Sequence, residues 1–249
     1  YNLISMWGIA KREYKFYFTN LTGYLVIGSY LTINTLILWF FDTPYNFLNY
    51  EVANIDLFFE LSPWLLVVLI SSLSLGSFSE EISTGTIELL LTKPLNPYQI
   101  FTGKFLGLTF IFSTCFLITL INILALNSLL KLESELDFSS IITSYLGLFL
   151  VGLIFISICL CCSLLFRSLV LSFLTGFILC FFQFFMWDFI ASLVSDPLLY
   201  EIISSIGIKK HYISLSRGII KLDDIIYLIG SIIIFHMLGV NQIKKLQHI

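Results

Sequence analysis

Residues 79–104 read SEEISTGTIELLLTKPLNPYQIFTGK and lie between two runs apolar enough to cross a bilayer. The stretch holds three Glu, two Lys, two Pro and two Gly in a chain otherwise nearly bare of charge. Ser79, Glu80 and Glu81 carry the end of the preceding run into water. Gly85 breaks that helix, because Gly is among the weakest helix formers. Residues 86–92 then form a short second helix with Ile87, Leu90 and Leu91 on one side, and Pro94 stops it by disfavouring helical geometry at Lys93. Asn96-Pro97-Tyr98-Gln99 reads as a fresh helix start: an N-cap, a proline at the first helical position and a capping-box partner. The product is a helix–break–helix–break elbow projecting from a membrane. Leu89, Leu90 and Leu91 on it call for a cover, and the acids at 80, 81 and 88 offer complementarity to a basic surface.

The rest of the chain supports the membrane reading. Of 249 residues, 58% are hydrophobic and 12% charged, against about 45–50% and about 25% in soluble domains. No soluble interior of this size hides so much apolar surface, so the class is an integral membrane protein. A net charge of −3 gives no sign of a nucleic-acid partner. No secretory signal pattern is present, and a start at Tyr1 without Met implies that a few residues precede it. Cys115, Cys159, Cys161, Cys162 and Cys180 all fall in apolar runs with no His near them, which reads as helix packing rather than metal or redox chemistry.

Six spanning helices are expected, at about 21–41, 57–78, 103–127, 138–163, 169–194 and 225–241. The fold class is thus all-α with six transmembrane helices in a single domain, 1–249. The side shared by both termini collects Lys11, Arg12, Lys15, Lys93, Lys104, Arg167, Lys244 and Lys245, while most acids, from Asp42 to Asp224, fall on the other. The positive-inside rule then places both termini and the elbow in the cytoplasm. Residues 1–20 mix Trp7, Tyr14, Phe16 and Phe18 with Lys11, Arg12, Glu13 and Lys15, as suits a helix lying in the interface. The connector 195–224 has apolar residues at helical spacing, Leu198, Ile202, Ile203 and Ile206, and reads as one or two short helices on the outer leaflet, ended by Gly207 and Gly218.

Residues 77–107, SFSEEISTGTIELLLTKPLNPYQIFTGKFLG, resemble the signature of ABC-2-type transporter permeases. In that signature an acidic pair, Gly-Thr-hydrophobic-Glu-Leu-Leu, a Pro and a Gly-Lys follow in order. The segment KREYKFYFTNLTGYLVIGSYL, 11–31, resembles that family's elbow helix and first span. LSPWLLVVLISSLSLGSFSEE, 61–81, and HYISLSRGIIKLDDIIYLIG, 211–230, are similar to its gliding-motility-associated (Gld) branch from Bacteroidota. The resemblance implies that 79–102 is a coupling loop docking on a cytoplasmic ATPase dimer, with Glu80, Glu81, Thr84, Gly85, Thr86, Glu88, Leu89, Leu90 and Pro94 as its contact residues. It also implies pairing with a second permease subunit, identical or not, in a bacterial inner membrane. One departure stands out. Relatives often carry Glu-Lys or Glu-Arg where this chain has Glu80-Glu81-Ile82, which removes the partner of any salt bridge formed there. No GxxxxGK[ST] sequence occurs, so ATP and Mg belong to the partner and this chain binds no cofactor of its own.

Polar residues inside spans are costly and mark candidate path-lining positions: Asn34, Asn122 and Gln183. The plain alternative, hydrogen bonding between helices, applies equally to them, to Asp188 and to His236. The aromatic run around Phe181 to Trp187 fills a subunit interface, faces lipid or lines a lipid-like substrate groove. Gly103 and Gly107 form a GxxxG that permits close helix approach. An intramembrane lipid-modifying enzyme would need clustered His, Asp or Glu, and no acid pair lies near His211, His236 or His248 in sequence. His211 is expected to lack ligand partners. A non-transporting membrane anchor of an ATP-driven machine is the remaining alternative.

Overall fold

The computed structural model describes residues 2–49, 55–91, 95–129 and 137–247, with backbone alone at 2–5, 89–91 and 129. Pro94, Lys93 and the side chains of Leu89, Leu90 and Leu91 therefore lie outside the described residues, as does His248. Among the described residues every regular element is helical.

Six helical stretches are long and apolar enough to cross a membrane: Leu21–Trp39, Asp56–Ser83, Pro97–Ser128, Phe138–Leu165, Leu169–Ser192 and Leu222–Gln247. They match the six expected spans, and the chain is a multi-pass membrane protein. Helix α1 (Asn2–Thr19) precedes α2 (Leu21–Trp39), with Asn20 extended between them. The second crossing contains α3 (Asp56–Ser74) and ends in α4 (Ser79–Ser83); α5 (Thr86–Leu91) follows across Gly85. The third crossing is split into α6 (Pro97–Thr119) and α7 (Ile121–Leu129). The split falls at Leu120, whose N–H turns to the Leu117 carbonyl, the tighter three-residue pattern that ends a helical run. Then come α8 (Phe138–Leu165) and α9 (Leu169–Phe181). A π turn (Phe182–Met186) and α10 (Trp187–Ser192) complete the fifth crossing. The chain closes with α11 (Pro197–Ile206), α12 (Ile208–Ser216) and α13 (Leu222–Gln247).

Burial separates centre from periphery. The most apolar windows of α8 and of the second crossing are 78% and 67% buried, against 22–39% for the other four. Helix α8 packs on α3, α9, α12 and α13. The outer helices leave Leu21, Leu25 and Ile33 of α2, Val170, Leu174 and Ile178 of α9, and Ile233, Ile234 and Met237 of α13 exposed. Such faces suit hydrocarbon, where backbone groups must be satisfied within each helix.

Helix α3 contains Pro63, which has no N–H to give the carbonyl four residues back, that of Phe59. The Tyr212 hydroxyl donates to that carbonyl instead, at 2.8 Å. This bond seats α12 in the fold. Ile208, Tyr212 and Leu215 are buried and Leu215 lies against Gly147 of α8, so α12 packs on protein rather than lying on a leaflet as expected. Helix α11 does keep an exposed apolar face at Leu198, Ile202 and Ile206.

Candidate functional site: a buried lysine at the root of the elbow

The elbow forms where the sequence breaks it. Gly85 has a φ of 72°, a left-handed conformation that Gly adopts without cost. Helix α4 ends just before it, where the Thr84 hydroxyl donates to the Glu80 carbonyl at 2.8 Å and meets the Thr86 hydroxyl at 3.0 Å. At the far end the Gln99 side chain accepts from the Asn96 N–H at 3.0 Å, closing the capping box. Glu80, Thr84, Gly85, Thr86 and Glu88 are exposed together at the tip, while Ile87 is turned inward.

Glu81 faces the other way. Its carboxylate lies 2.8 Å from the ammonium of Lys104 on α6 and 2.7 Å from the guanidinium of Arg12 on α1. Glu13 of α1 joins both cations, at 3.3 Å from Lys104 and 3.1 Å from Arg12. The Lys104 contacts with the two acids are ion pairs off the line of a hydrogen bond, whereas its ammonium donates to the Ser77 carbonyl in the turn between α3 and α4. It also sits 4.5 Å from the centre of the Phe78 ring. Lys104 is 1% exposed. A buried ammonium is tolerated only when paired, and here two cations meet two carboxylates, so the group is neutral as a whole.

Burial alone lowers the Arg12 pKa, but the hydrogen bonds and charges of Glu13 and Glu81 outweigh it and hold the guanidinium above its ordinary value. Burial, reinforced by the Glu13 charge, raises the Tyr17 pKa, and its hydroxyl donates to the Leu73 carbonyl.

Helix α1 reaches Lys104 because α6 has no side chains in the way. A Cβ on Gly103 would stand 2.8 Å from Ile9 Cβ, and one on Gly107 would stand 2.7 Å from Glu13 Cβ. The GxxxG pair is thus the seat of α1. Ile9, Glu13 and Tyr17, spaced four apart, form the buried stripe of α1. A carboxylate in that stripe signals a cation opposite, a clue the sequence reading passed over. The missing basic residue after Glu80 is supplied from elsewhere: Arg12 and Lys104 both pair with Glu81.

The path-lining candidates separate. Asn34 and Asn122 line one cavity of about 330 Å³ between α2 and the α6–α7 break. Trp39 donates its indole N–H to the Asn122 side chain at 3.1 Å, while the buried Asn34 amide has no hydrogen-bond partner among the described residues. Gln183 lies away from both, in the π turn, where it donates to the Ile206 carbonyl at 3.1 Å and accepts from Trp187 at 3.0 Å. His236 meets the Thr102 hydroxyl at 3.0 Å, and Asp188 pairs with Lys209 at 2.7 Å.

His211 takes its hydrogen-bond partners from α11 and α13. The connector folds back so that His211 Nδ1 lies 2.6 Å from Asp224, while its Nε2 lies 3.0 Å from the Ser205 carbonyl. With both nitrogens covered, and Ser214 donating to Asp224 rather than to the ring, the cluster offers no free base. It ties α11, α12 and α13 together.

No curated protein matches the chain. Residues 41–243, which include Glu81 and Lys104, match the family model described as ABC-2 family transporter protein. The chain belongs to that family and is a permease component of a membrane transporter.

Proposed function

We propose that the α4–α5 elbow is the docking element for a separate ATP-hydrolysing subunit, and that the Arg12–Glu13–Glu81–Lys104 group passes its movement into the membrane. Family membership implies an ABC ATPase partner in general. The observation that carries the reading is the joint between the elbow and the spans. An exposed tip carrying Glu80, Thr84, Gly85, Thr86 and Glu88 is rooted by Glu81 in an ion-pair group that surrounds the buried Lys104 and is shared by α1 and α6. A push on the tip reaches two helices at once. Leu89, Leu90 and Pro94 complete the proposed contact surface, and ATP and Mg stay on the partner. In this reading the elbow and both termini are cytoplasmic, the membrane is a bacterial inner membrane, and a second permease subunit completes a path along the Asn34–Asn122 cavity. The similarity of 61–81 and 211–230 to gliding-motility permeases makes a motility or secretion machine the proposed setting.

The test is co-purification from native membranes. An ABC ATPase is expected with the wild-type chain. A Glu88→Lys, Thr84→Arg variant is expected to keep its size-exclusion profile and lose the ATPase. Retention of the ATPase by that variant, or labelling of residue 84 from the periplasm, would overturn the proposal.

A further inference from the structure

At the end of α3 opposite the elbow, a pocket of about 370 Å³ opens between α3, α12 and the π turn. Phe59 and Tyr212, both buried, form its floor. Asp56 and Glu60, one helical turn apart, stand on one side, and Arg217 on the other. Lys209 also borders the pocket but is taken by Asp188 at 2.7 Å. Among the described residues neither Glu60 nor Arg217 has an ion pair. The pocket therefore presents both signs of charge over an apolar floor.

An aromatic strip leads out of it. Trp64 and Phe185, in the pocket wall, stack with ring centres 3.7 Å apart. Phe185 continues to Phe181 at 5.1 Å, then to Phe177 at 6.3 Å and Phe173 at 6.2 Å. All four phenylalanines are half-buried, so the strip stays partly open to the surroundings along its length. Twelve residues at 1.5 Å per residue give the strip a length of roughly 18 Å, a little more than half of the hydrocarbon core of about 30 Å.

We propose that the pocket and strip bind one phospholipid with a primary-amine headgroup. The ammonium sits on the Glu60 carboxylate and against the Trp64 ring, with Asp56 one helical turn away, the phosphate faces Arg217, and one acyl chain runs along the Phe185–Phe173 strip. Asp56 opens the third helix at the level where a crossing begins, which is headgroup depth. The unpaired Glu60 carboxylate selects against an anionic headgroup, and a quaternary amine has no N–H to donate to it. The site stands whether or not the elbow docks an ATPase.

The experiment is native mass spectrometry of the purified full-length chain in mild detergent. Phosphatidylethanolamine, phosphatidylglycerol and phosphatidylcholine with matched chains are added together. Phosphatidylethanolamine is expected to be retained about tenfold over the others. Glu60→Gln is expected to abolish that preference with an unchanged melting temperature. Phe177→Ala is expected to weaken all three lipids alike by about threefold, since it removes only apolar contact. Water-soluble phosphoethanolamine at the same concentration is expected not to displace the lipid. Equal retention of the three lipids, a preference for phosphatidylglycerol, a preference that survives Glu60→Gln, or displacement by phosphoethanolamine would overturn the assignment.

Discussion

Replacing Lys104 with Met keeps most of the side-chain volume and removes one charge. The group then holds Arg12 against Glu13 and Glu81, a sum of −1 where it was 0. Arg12 is half exposed and already shared between the two acids, so it cannot neutralise both. Removing one partner of a buried ion pair costs about 3–5 kcal/mol, because the other is left unpaired. For a chain of this size, about 2–4 °C of melting temperature accompanies each kcal/mol, so the loss is roughly 6–20 °C. The assay is thermal unfolding in detergent or nanodiscs, followed by tryptophan fluorescence at one fixed heating rate, since unfolding of such proteins is commonly irreversible. The decisive comparison is Lys104→Met with Glu81→Gln. That pair restores the sum to 0 and is expected to recover at least half of the loss. A single variant melting within about 2 °C of wild type, or a double variant no better than the single, would show that Lys104 is not held by these acids.

Three further outcomes follow from local geometry. Tyr212→Phe leaves the Phe59 carbonyl without a donor beside Pro63 and is expected to cost about 1–3 kcal/mol; adding Pro63→Ala returns an N–H to that carbonyl and should remove most of the cost in the same melting assay. Gly107→Val places a side chain where Glu13 Cβ lies 2.7 Å from the added Cβ, so α1 should lift from α6 and become cleavable by protease added to the elbow side, while a cut that leaves α1 as protected as in wild type would count against the seat. Gly85→Val forces a branched residue to a φ of 72°, at a cost of about 1–2 kcal/mol; it is expected to lower transport-coupled ATP hydrolysis of the assembled complex several-fold with the six crossings intact by circular dichroism, and unchanged hydrolysis would refute the need for that bend.

Much of the architecture was legible because the signals are local. Long apolar runs announce crossings, Gly85 announces a break, and Asn96-Pro97 with Gln99 announces a start, each within a few residues. What the sequence conceals is pairing at a distance. Glu81 and Arg12 are 69 positions apart, and Tyr212 and Phe59 are 153 apart. A proline inside an apolar run says that a carbonyl goes unpaired but not which hydroxyl answers it. The π turn at Phe182–Met186 is equally silent, since an aromatic run reads as one straight span. The Asn34–Asn122 cavity was half legible: each polar residue is conspicuous alone, and only the helix break at Leu120 and the packing of α2 bring them to one cavity.

The zero sum of the Arg12–Glu13–Glu81–Lys104 group has an electrical consequence. A transmembrane potential does work of about 2.3 kcal/mol on each elementary charge carried through 100 mV. A solitary buried lysine at this depth would feel that field and would bias the elbow according to how strongly the cell is energised. Four charges that cancel within a few ångströms feel almost no net force, so a displacement of the whole cluster would carry no net charge through the field.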